Sequence, residues 1–161
     1  MEFFENNGRF IACFINSNLP ELKSILGVYS CVDPAYRGIG LSTKLIRNSI
    51  EMSKCQWMFS EIEKDNDRNK KIWDRFGFFK IPVDYTQFSL GEGKNQLDNL
   101  FFCVKPVNHQ TKVIDSSLVR KTIWLYYRYA QLFSDPTNTE QYIRVINSTN
   151  KSDKLVLEKL I

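Results

Sequence analysis

Apolar residues in the first third of the chain are grouped as they are in β-strands. Two apolar runs, at residues 3–4 and 10–15, flank an Asn-Gly pair, and this arrangement is typical of a hairpin with a tight turn. After a polar stretch at residues 16–23, residues 25–32 form a mostly apolar run that predicts a central strand. Pro34 ends this run because proline cannot donate a hydrogen bond to a sheet ladder.

Helical spacing replaces the strand pattern after residue 40. The pattern predicts a helix over residues 41–53, a short strand over 57–62 and a second helix over 68–76, which Gly77 ends. The first helix has one face of apolar and small residues, formed by Leu45, Ile46, Ser49, Ile50 and Ser53. The second helix is expected to turn its large apolar residues inward, namely Ile72, Trp73 and Phe76.

Two further strands are predicted in the next part of the chain. Alternation of polar and apolar residues indicates a strand over residues 83–90, and an apolar run indicates another over 100–104. A polar, glycine-containing loop at residues 91–96 separates them. The order of strands, helix, strand, helix and strands predicts an α/β fold with a mixed sheet.

The last fifty residues have a helical pattern. Asp115-Ser116-Ser117 is a typical helix start and Asp135-Pro136 a typical end. The apolar seam between them contains Val119, Ile123, Tyr126, Ala130 and Phe133. A shorter helix is predicted over residues 139–147, whereas the pattern from Lys151 onwards is ambiguous.

Composition and charge narrow the function classes. Apolar residues make up 43% of the 161 residues, which is enough for a core and excludes a globally disordered chain. No run approaches the ~20 apolar residues of a membrane span, and the first residues lack a secretory signal pattern, so a cytoplasmic protein without a membrane partner is expected. A net charge of +4, spread along the chain, does not indicate nucleic-acid binding.

Cysteine and histidine usage argues against a metal site. The four cysteines (Cys13, Cys31, Cys55 and Cys103) are scattered, and His109 is the single histidine, so a zinc site is not expected. Three of the cysteines lie in apolar runs, where cysteine behaves as a small hydrophobic residue. A disulfide framework is not expected in an intracellular chain of this size.

The strongest functional signal is a turn with two glycines between the strand at residues 25–32 and the helix at 41–53. Gly38 and Gly40 let the backbone approach a ligand, and the free amides of the turn and of the first helical turn suit an anion such as a pyrophosphate. Further donors or positive charges come from Arg37, Ser42, Thr43 and Lys44. Any tight turn would use such glycines, and neither a dinucleotide-binding fingerprint nor a P-loop fits, because the third glycine and a Gly-Lys-Ser/Thr sequence are missing.

The wider stretch resembles a known family. Arg37-Gly38-Ile39-Gly40-Leu41-Ser42 is similar to the Arg/Gln-x-x-Gly-x-Gly/Ala motif of the GNAT acyltransferase superfamily, with Ser42 in place of the last small residue. Val32-Asp33-Pro34-Ala35-Tyr36 matches the usual lead-in. Downstream, residues 66–78 resemble the second motif of the family, Asn-x-x-Ala-x-x-x-Tyr-x-x-x-Gly-Phe. The resemblance covers roughly residues 1–105 and implies a GNAT-like fold with a mostly antiparallel central sheet.

The resemblance implies that acetyl-CoA is the cofactor. Residues 38–43 would hold its pyrophosphate through their amides, residues 31–33 would pair with the pantetheine arm as an added strand, and Asn66 would hydrogen-bond that arm. The residues expected to bind the cofactor are Cys31, Val32, Asp33, Arg37, Gly38, Ile39, Gly40, Leu41, Ser42, Thr43, Asn66 and Trp73.

The catalytic residues are less clear because this chain departs from the family pattern. Trp73 stands where the family has a tyrosine that protonates the leaving thiolate, and indole is no useful acid at neutral pH. Tyr85 or Tyr29 could take that role, or water could protonate the thiolate. Glu61 or Glu63 could act as general base. We take Tyr85 and Glu61 as the catalytic candidates, although buried strand tyrosines and strand-end carboxylates usually have structural roles.

The predicted organisation is a GNAT-like core at residues 1–107 followed by a C-terminal helical extension at 108–161. The family usually begins with a strand and two helices, whereas only a few residues precede the hairpin here. We therefore expect the extension or a partner chain, such as a second copy in a homodimer, to take the place of those elements. The lead function is transfer of an acetyl group from acetyl-CoA to a primary amine. The alternatives are a non-catalytic acyl-CoA binding module and a structural fragment that binds no cofactor.

Overall fold

The computed structural model describes residues 1–87, 99–129 and 135–161. These residues form two compact units: residues 1–60 with 106–109, and residues 61–105 with 110–161. The division does not test the predicted boundary between residues 107 and 108, which stays a prediction. The strands are β1 (Glu2–Asn6), β2 (Arg9–Leu19), β3 (Ser24–Val32), β4 (Trp57–Glu63), β5 (Phe79–Lys80), β6 (Leu100–Pro106), β7 (Val113–Asp115) and β8 (Lys154–Val156). The helices are α1 (Leu41–Ser53), α2 (Asp67–Arg75), α3 (Ser116–Tyr129) and α4 (Glu140–Thr149).

The first unit is a sheet with one helix. β1 and β2 form an antiparallel hairpin closed by Asn7 and Gly8, which both have positive φ, and β3 continues the sheet antiparallel to β2. The first four residues of β4 pair with β3 in parallel. α1 lies against this sheet and buries Leu45 and Ile46 together with Ser49, which confirms the face predicted from the spacing.

The second unit contains the rest of the sheet and the C-terminal helices. The short strand β5 pairs with β6 in antiparallel orientation. The strand order across the sheet is β1-β2-β3-β4-β6-β5. β7 and β8 form a separate antiparallel pair. α3 and α4 bury the apolar side of each helix, including Val119, Ile123 and Val145, each of which is fully buried. The predicted class, an α/β fold with a mixed and mostly antiparallel sheet and flanking helices, is confirmed.

Several predicted boundaries were wrong. Residues 16–19, predicted as part of a loop, continue β2, because they pair with residues 24–27 of β3 across a short turn. Residues 83–86, predicted as a strand, are irregular: the amide of Asp84 donates to the Ser148 hydroxyl instead of a neighbouring strand. In α2, Ile72 is 40% exposed and does not face inward, whereas Trp73 and Phe76 are half-buried.

Other predictions fall outside the described residues. These are the end of the strand at 88–90, the loop at 91–96 and the last two seam residues, Ala130 and Phe133. The ambiguous tail forms β8, whose partner β7 lies about forty residues earlier in the chain. The described seam residues Val119, Ile123 and Tyr126 are buried as predicted.

Candidate active site

The turn between β3 and α1 is built by its glycines and by a side-chain cap. The carboxylate of Asp33 accepts the amide of Ala35 at 2.9 Å and so starts a short 3₁₀ turn at Pro34–Tyr36. Gly38 and Gly40 then adopt φ of +85° and +86°, a region that residues with a side chain rarely occupy. α1 begins directly afterwards, with Gly40 at its N-cap and no side chain capping it.

This turn presents a row of free backbone donors. Within the described residues, no hydrogen bond uses the amides of residues 38–43, and the first amide bonded in the helix is that of Lys44, which donates to the Gly40 carbonyl at 3.1 Å. A Cβ at Gly38 or Gly40 would meet no atom within 4 Å, so the space in front of the turn is open. Free amides at a helix start attract an anion because each carries a partial positive charge. The arrangement therefore fits a phosphate or pyrophosphate group.

The side chains of the turn are mostly turned to solvent or to the turn itself. Ile39 is 69% exposed, whereas Leu41, Ser42 and Thr43 are half-buried. The Arg37 side chain donates from Nε to the Val32 carbonyl at 3.2 Å. Asp33 carries an ion pair with Arg9 at 2.7 Å. These contacts fix the backbone of the turn and leave its amides free.

The edge of β3 continues beyond its pairing with β4. Among the described residues, the parallel ladder ends at Gly27 and Ser60. Val28 lies at an irregularity in the register with β2, and residues 29–32 keep only their antiparallel partners on β2. A Cβ at Gly27 would lie 3.0 Å from the Phe14 ring, so a larger residue at this position would have to displace that ring. An unpaired strand edge can accept an extended chain as an additional strand. This edge includes the predicted residues Cys31 and Val32.

A groove of about 500 Å³ lies beside the same end of β3. Its wall includes the predicted residues Cys31, Val32 and Asp33, together with Cys13 and the ring of Phe10. The wall is mainly apolar, because the hairpin of β1 and β2 supplies most of it. No local pattern in the sequence predicts this groove, since it forms only when the strands pair.

The second unit contains a cluster around Glu61. Its carboxylate accepts hydrogen bonds from the Tyr85 hydroxyl and from the Tyr126 hydroxyl, the latter at 2.9 Å. Tyr126 also accepts a hydrogen bond from the side-chain amide of Gln87 at 3.2 Å. The structure thus brings the two predicted catalytic residues together and adds Tyr126, which the sequence marked only as a packing residue of the α3 seam.

Burial sets the protonation behaviour of this cluster. Loss of water raises the pKa of Glu61 above its ordinary value, and the two tyrosine hydrogen bonds oppose this shift. The pKa of Tyr85 lies well above its ordinary value, first because of burial and then because of the Glu61 charge. Its ring is only 3% exposed and is stacked on Phe102 at 4.9 Å. A carboxylate with a raised pKa takes up a proton more readily than an ordinary carboxylate does, as a general base must.

The two predicted residues on α2 have structural contacts. Asn66 is the N-cap: its side-chain oxygen accepts the Asn69 amide at 3.0 Å, and its nitrogen donates to Glu63 at 2.8 Å. Trp73 packs edge-on against Phe78 at 4.8 Å between ring centroids. Neither contact tests cofactor binding, so their roles there stay predictions. Within the described ranges, no group of three or more potential ligand side chains could hold a metal ion.

The family comparison bears directly on the glycine turn and its flanking strands. The sequence profile described as "Acetyltransferase (GNAT) family" matches residues 3–78, which contain both motifs recognised in the sequence. Residues 3–78 belong to the GNAT family. The resemblance drawn from the motifs is therefore confirmed. No curated protein matches the chain.

Solved structures support the same GNAT fold at low sequence identity. A putative GNAT-family acetyltransferase from Bacteroides thetaiotaomicron matches with a TM-score of 0.61 and 16% identity, over 80% of this chain and 70% of that one. The IAA acetyltransferase of Bacillus cereus matches with a TM-score of 0.51 and 15% identity, over 64% of this chain and 74% of that one. An N-acetyltransferase from Thermoplasma acidophilum in complex with coenzyme A matches with a TM-score of 0.50 and 10% identity, over 64% of this chain and 57% of that one.

For the GNAT segment, the family match supports acyl-CoA-dependent acetyl transfer. No helix among the described parts of the chain is both long and apolar enough to cross a membrane.

Proposed function

We propose that this protein is an N-acetyltransferase that transfers the acetyl group of acetyl-CoA to a primary amine. The observation that carries the proposal is the row of unused amides at residues 38–43, placed at the start of α1 behind open space. These donors suit the pyrophosphate of coenzyme A, and their position matches the first family motif.

The edge of β3 supports binding of the pantetheine arm. Residues 28–32 extend past the end of the ladder with β4, so their backbone can pair with an extended amide-containing chain. The predicted residues Cys31, Val32 and Asp33 lie at this end. Acetyl-CoA, when bound, supplies an activated acetyl thioester.

Glu61 is proposed as the general base. Its raised pKa favours uptake of a proton from an ammonium group, which turns the amine into a nucleophile. The hydroxyls of Tyr85 and Tyr126 hold the carboxylate in one orientation. Tyr85 is proposed as the proton donor to the leaving thiolate. It would give up its hydroxyl proton and take one back across its hydrogen bond from Glu61, which holds the proton taken from the ammonium group.

A non-catalytic acyl-CoA binding module is the second candidate. Trp73 occupies the position of the family's acid and packs against Phe78, and the hydroxyl of Tyr85 is already bonded to Glu61. Both observations favour a chain that kept the cofactor turn without an accessible acid. This candidate predicts acetyl-CoA binding without transfer to any amine.

Calorimetric titration with acetyl-CoA tests the cofactor site. Gly40→Glu places a carboxylate in front of the free amides and is expected to weaken binding at least tenfold. Gly8→Glu is the matched control: Gly8 also has a positive φ, +76°, and open space around its Cβ, but it lies in the β1–β2 turn. Equal binding by wild type and Gly40→Glu, with both proteins folded, would contradict the proposed site.

Turnover then separates the two candidates. Release of coenzyme A is measured with a panel of primary amines, for wild type and for Glu61→Gln. Transfer that falls at least a hundredfold in Glu61→Gln while the affinity for acetyl-CoA is unchanged supports the enzyme. Tight binding with no transfer to any amine supports the binding module instead.

A further inference from the structure

Two cysteines that are far apart in sequence meet on neighbouring strands. Cys13 on β2 lies directly opposite Cys31 on β3 in the antiparallel register, and their sulfur atoms are 3.3 Å apart. Both are free thiols. The register of the two strands, and not any spacing motif, creates this pair.

The pair is accessible, unlike the other cysteines. Cys31 is exposed and Cys13 is half-buried, and both line the groove beside the end of β3. Cys55 and Cys103 are buried, at 4% and 0% exposure. A dissolved reagent can therefore reach Cys31 first.

The backbone geometry suits a covalent bond between these sulfurs. Residues directly opposite each other in an antiparallel pair have Cα atoms about 4.5–5.5 Å apart. Disulfides span Cα distances of about 4.4–6.8 Å. The two side chains can therefore join by rotation about their own bonds, while the strands keep their positions.

We propose that Cys13 and Cys31 form a reversible thiol–disulfide exchange site that reacts with small disulfides of the glutathione disulfide class. The site does not depend on the proposed acetyltransferase function, since it rests on the strand register and on the accessibility of the two thiols.

The reaction takes place in two balanced steps. The Cys31 thiolate attacks one sulfur of the small disulfide, which forms a mixed disulfide at Cys31 and expels one small thiolate. The Cys13 thiolate then attacks the Cys31 sulfur, which forms the Cys13–Cys31 bond and expels the second small thiolate. The two cysteines lose two electrons and two protons in total, and the small disulfide takes them up as two thiols.

The order of the steps follows from the surroundings of Cys13. Burial and the neighbouring Cys31 thiol raise the pKa of Cys13, so less of it is present as thiolate while both residues are reduced. Formation of the mixed disulfide at Cys31 removes that thiol and leaves a reactive sulfur in contact with Cys13. Cys31 is therefore the attacking residue and Cys13 the resolving one.

The test uses the full chain equilibrated with glutathione buffers of increasing disulfide-to-thiol ratio. Remaining thiols are alkylated after unfolding, and the products are identified by intact mass and peptide mapping. We expect a species that has lost two hydrogens, with Cys13 and Cys31 linked and Cys55 and Cys103 alkylated. Reduction of the buffer should reverse it.

Single variants resolve the order of the steps. Cys13→Ser should accumulate one glutathione adduct on Cys31, whereas Cys31→Ser should give neither the internal bond nor a rapid adduct. Cys55→Ala is the matched control and should form the Cys13–Cys31 bond as wild type does. Folded wild type that yields no Cys13–Cys31 bond at any ratio, or only an unresolved adduct on Cys31, would overturn the proposal.

Discussion

The carboxylate of Glu61 is buried and accepts hydrogen bonds from two tyrosines. Its protonation state makes the stability of the fold depend on pH. Its charged form is disfavoured by burial, and this outweighs the two hydrogen bonds, so its pKa in the folded protein is raised. A carboxyl group with a raised pKa stabilises the fold below the pKa of the unfolded state, and this contribution is lost as the pH rises through the folded pKa. Ionisation of Glu61 therefore lowers the free energy of unfolding as the pH rises from the pKa of the unfolded state to the pKa of the folded state.

Replacing Glu61 with Gln should reveal this pH dependence. Gln keeps an acceptor for the tyrosine hydroxyls but does not ionise. The free energy of unfolding of the variant should therefore increase relative to that of wild type as the pH rises from about 4.5 towards neutrality. Urea unfolding at a series of pH values measures the difference. Glu63→Gln serves as the exposed control on the same strand. A difference between Glu61→Gln and wild type that is constant with pH would contradict the raised pKa.

Burial of single side chains was predictable from the sequence, whereas their long-range contacts were not. Tyr126 was predictable as a buried residue, because it falls on the apolar seam of a helix. Its hydrogen bond to Glu61 was not, because the two residues are 65 positions apart and a hydroxyl has no periodic signature. The contact of Cys13 with Cys31 was hidden for the same reason, and Cys31 proved to be exposed although it lies in an apolar run.

At the scale of single elements, α2 depends on its cap more than on burial. The helix has nine residues, none of which is buried, so packing does little to hold its first turn. Asn66 supplies an acceptor for the Asn69 amide, and its own nitrogen is bonded to Glu63. Asn66, the first residue of the second family motif, thus acts as the N-cap of α2.

Asn66→Ala should lower the free energy of unfolding by about 1 kcal/mol, because the cap acceptor is lost. Asn66→Ser is the matched control, since serine caps about as well as asparagine and should cost only a few tenths of a kcal/mol. Urea unfolding measures both, and acetyl-CoA titration of the same variants tests the predicted cofactor contact. Equal stability of the Ala and Ser variants would contradict the cap assignment.

Elements with a strong local pattern were predicted well. β1, β3, β4, β6, α1, α2, α4 and the start of α3 were placed within a few residues, because hydrophobic periodicity and turn residues are local signals. The predicted end of α3 lies outside the described residues. β5, β7 and β8 have two or three residues each, too few for a period to show. The segment at 83–86 alternates as a strand does, but its backbone is bonded to a helix side chain and to Tyr127, whose hydroxyl donates to the Thr86 carbonyl at 2.6 Å.

Residues 154–160 contribute to the core of the second unit. Leu155, Leu157 and Leu160 are buried, and Lys80 and Glu158 exchange two backbone hydrogen bonds at 2.8 and 2.9 Å. Their side chains form an ion pair at 2.7 Å. The ambiguous tail of the sequence is therefore a structural part of this unit.

Leu157→Ala should lower the free energy of unfolding by about 2–4 kcal/mol, because a buried leucine is replaced by a cavity. Val156→Ala, at the adjacent and 65% exposed position, should change it by less than about 0.5 kcal/mol. Thermal and urea unfolding of the two variants check this difference. Similar losses in both, or in neither, would show that the tail does not pack as described.

The glycine turn was the part of the candidate site that the sequence predicted most fully. Its glycines, its position between a strand and a helix and its family motif are all local in the chain, and the structure gives the turn the free amides that those features imply. The groove beside β3 and the cluster around Glu61 depend on strand register and on helix packing across long stretches of chain. No local pattern in a single sequence reveals which distant strands and helices will pack together.

The pairing of Lys80 with Glu158 has a consequence for the order in which the protein folds. These residues are 78 positions apart, so bringing them together closes a long loop and costs more chain entropy than closing the hairpin of β1 and β2. The β1–β2–β3 meander needs only short connections and can form early. Residues 154–160 can join the second unit only after this long loop has closed, so the leucines at positions 155, 157 and 160 stay open to water, and to other chains, until that step.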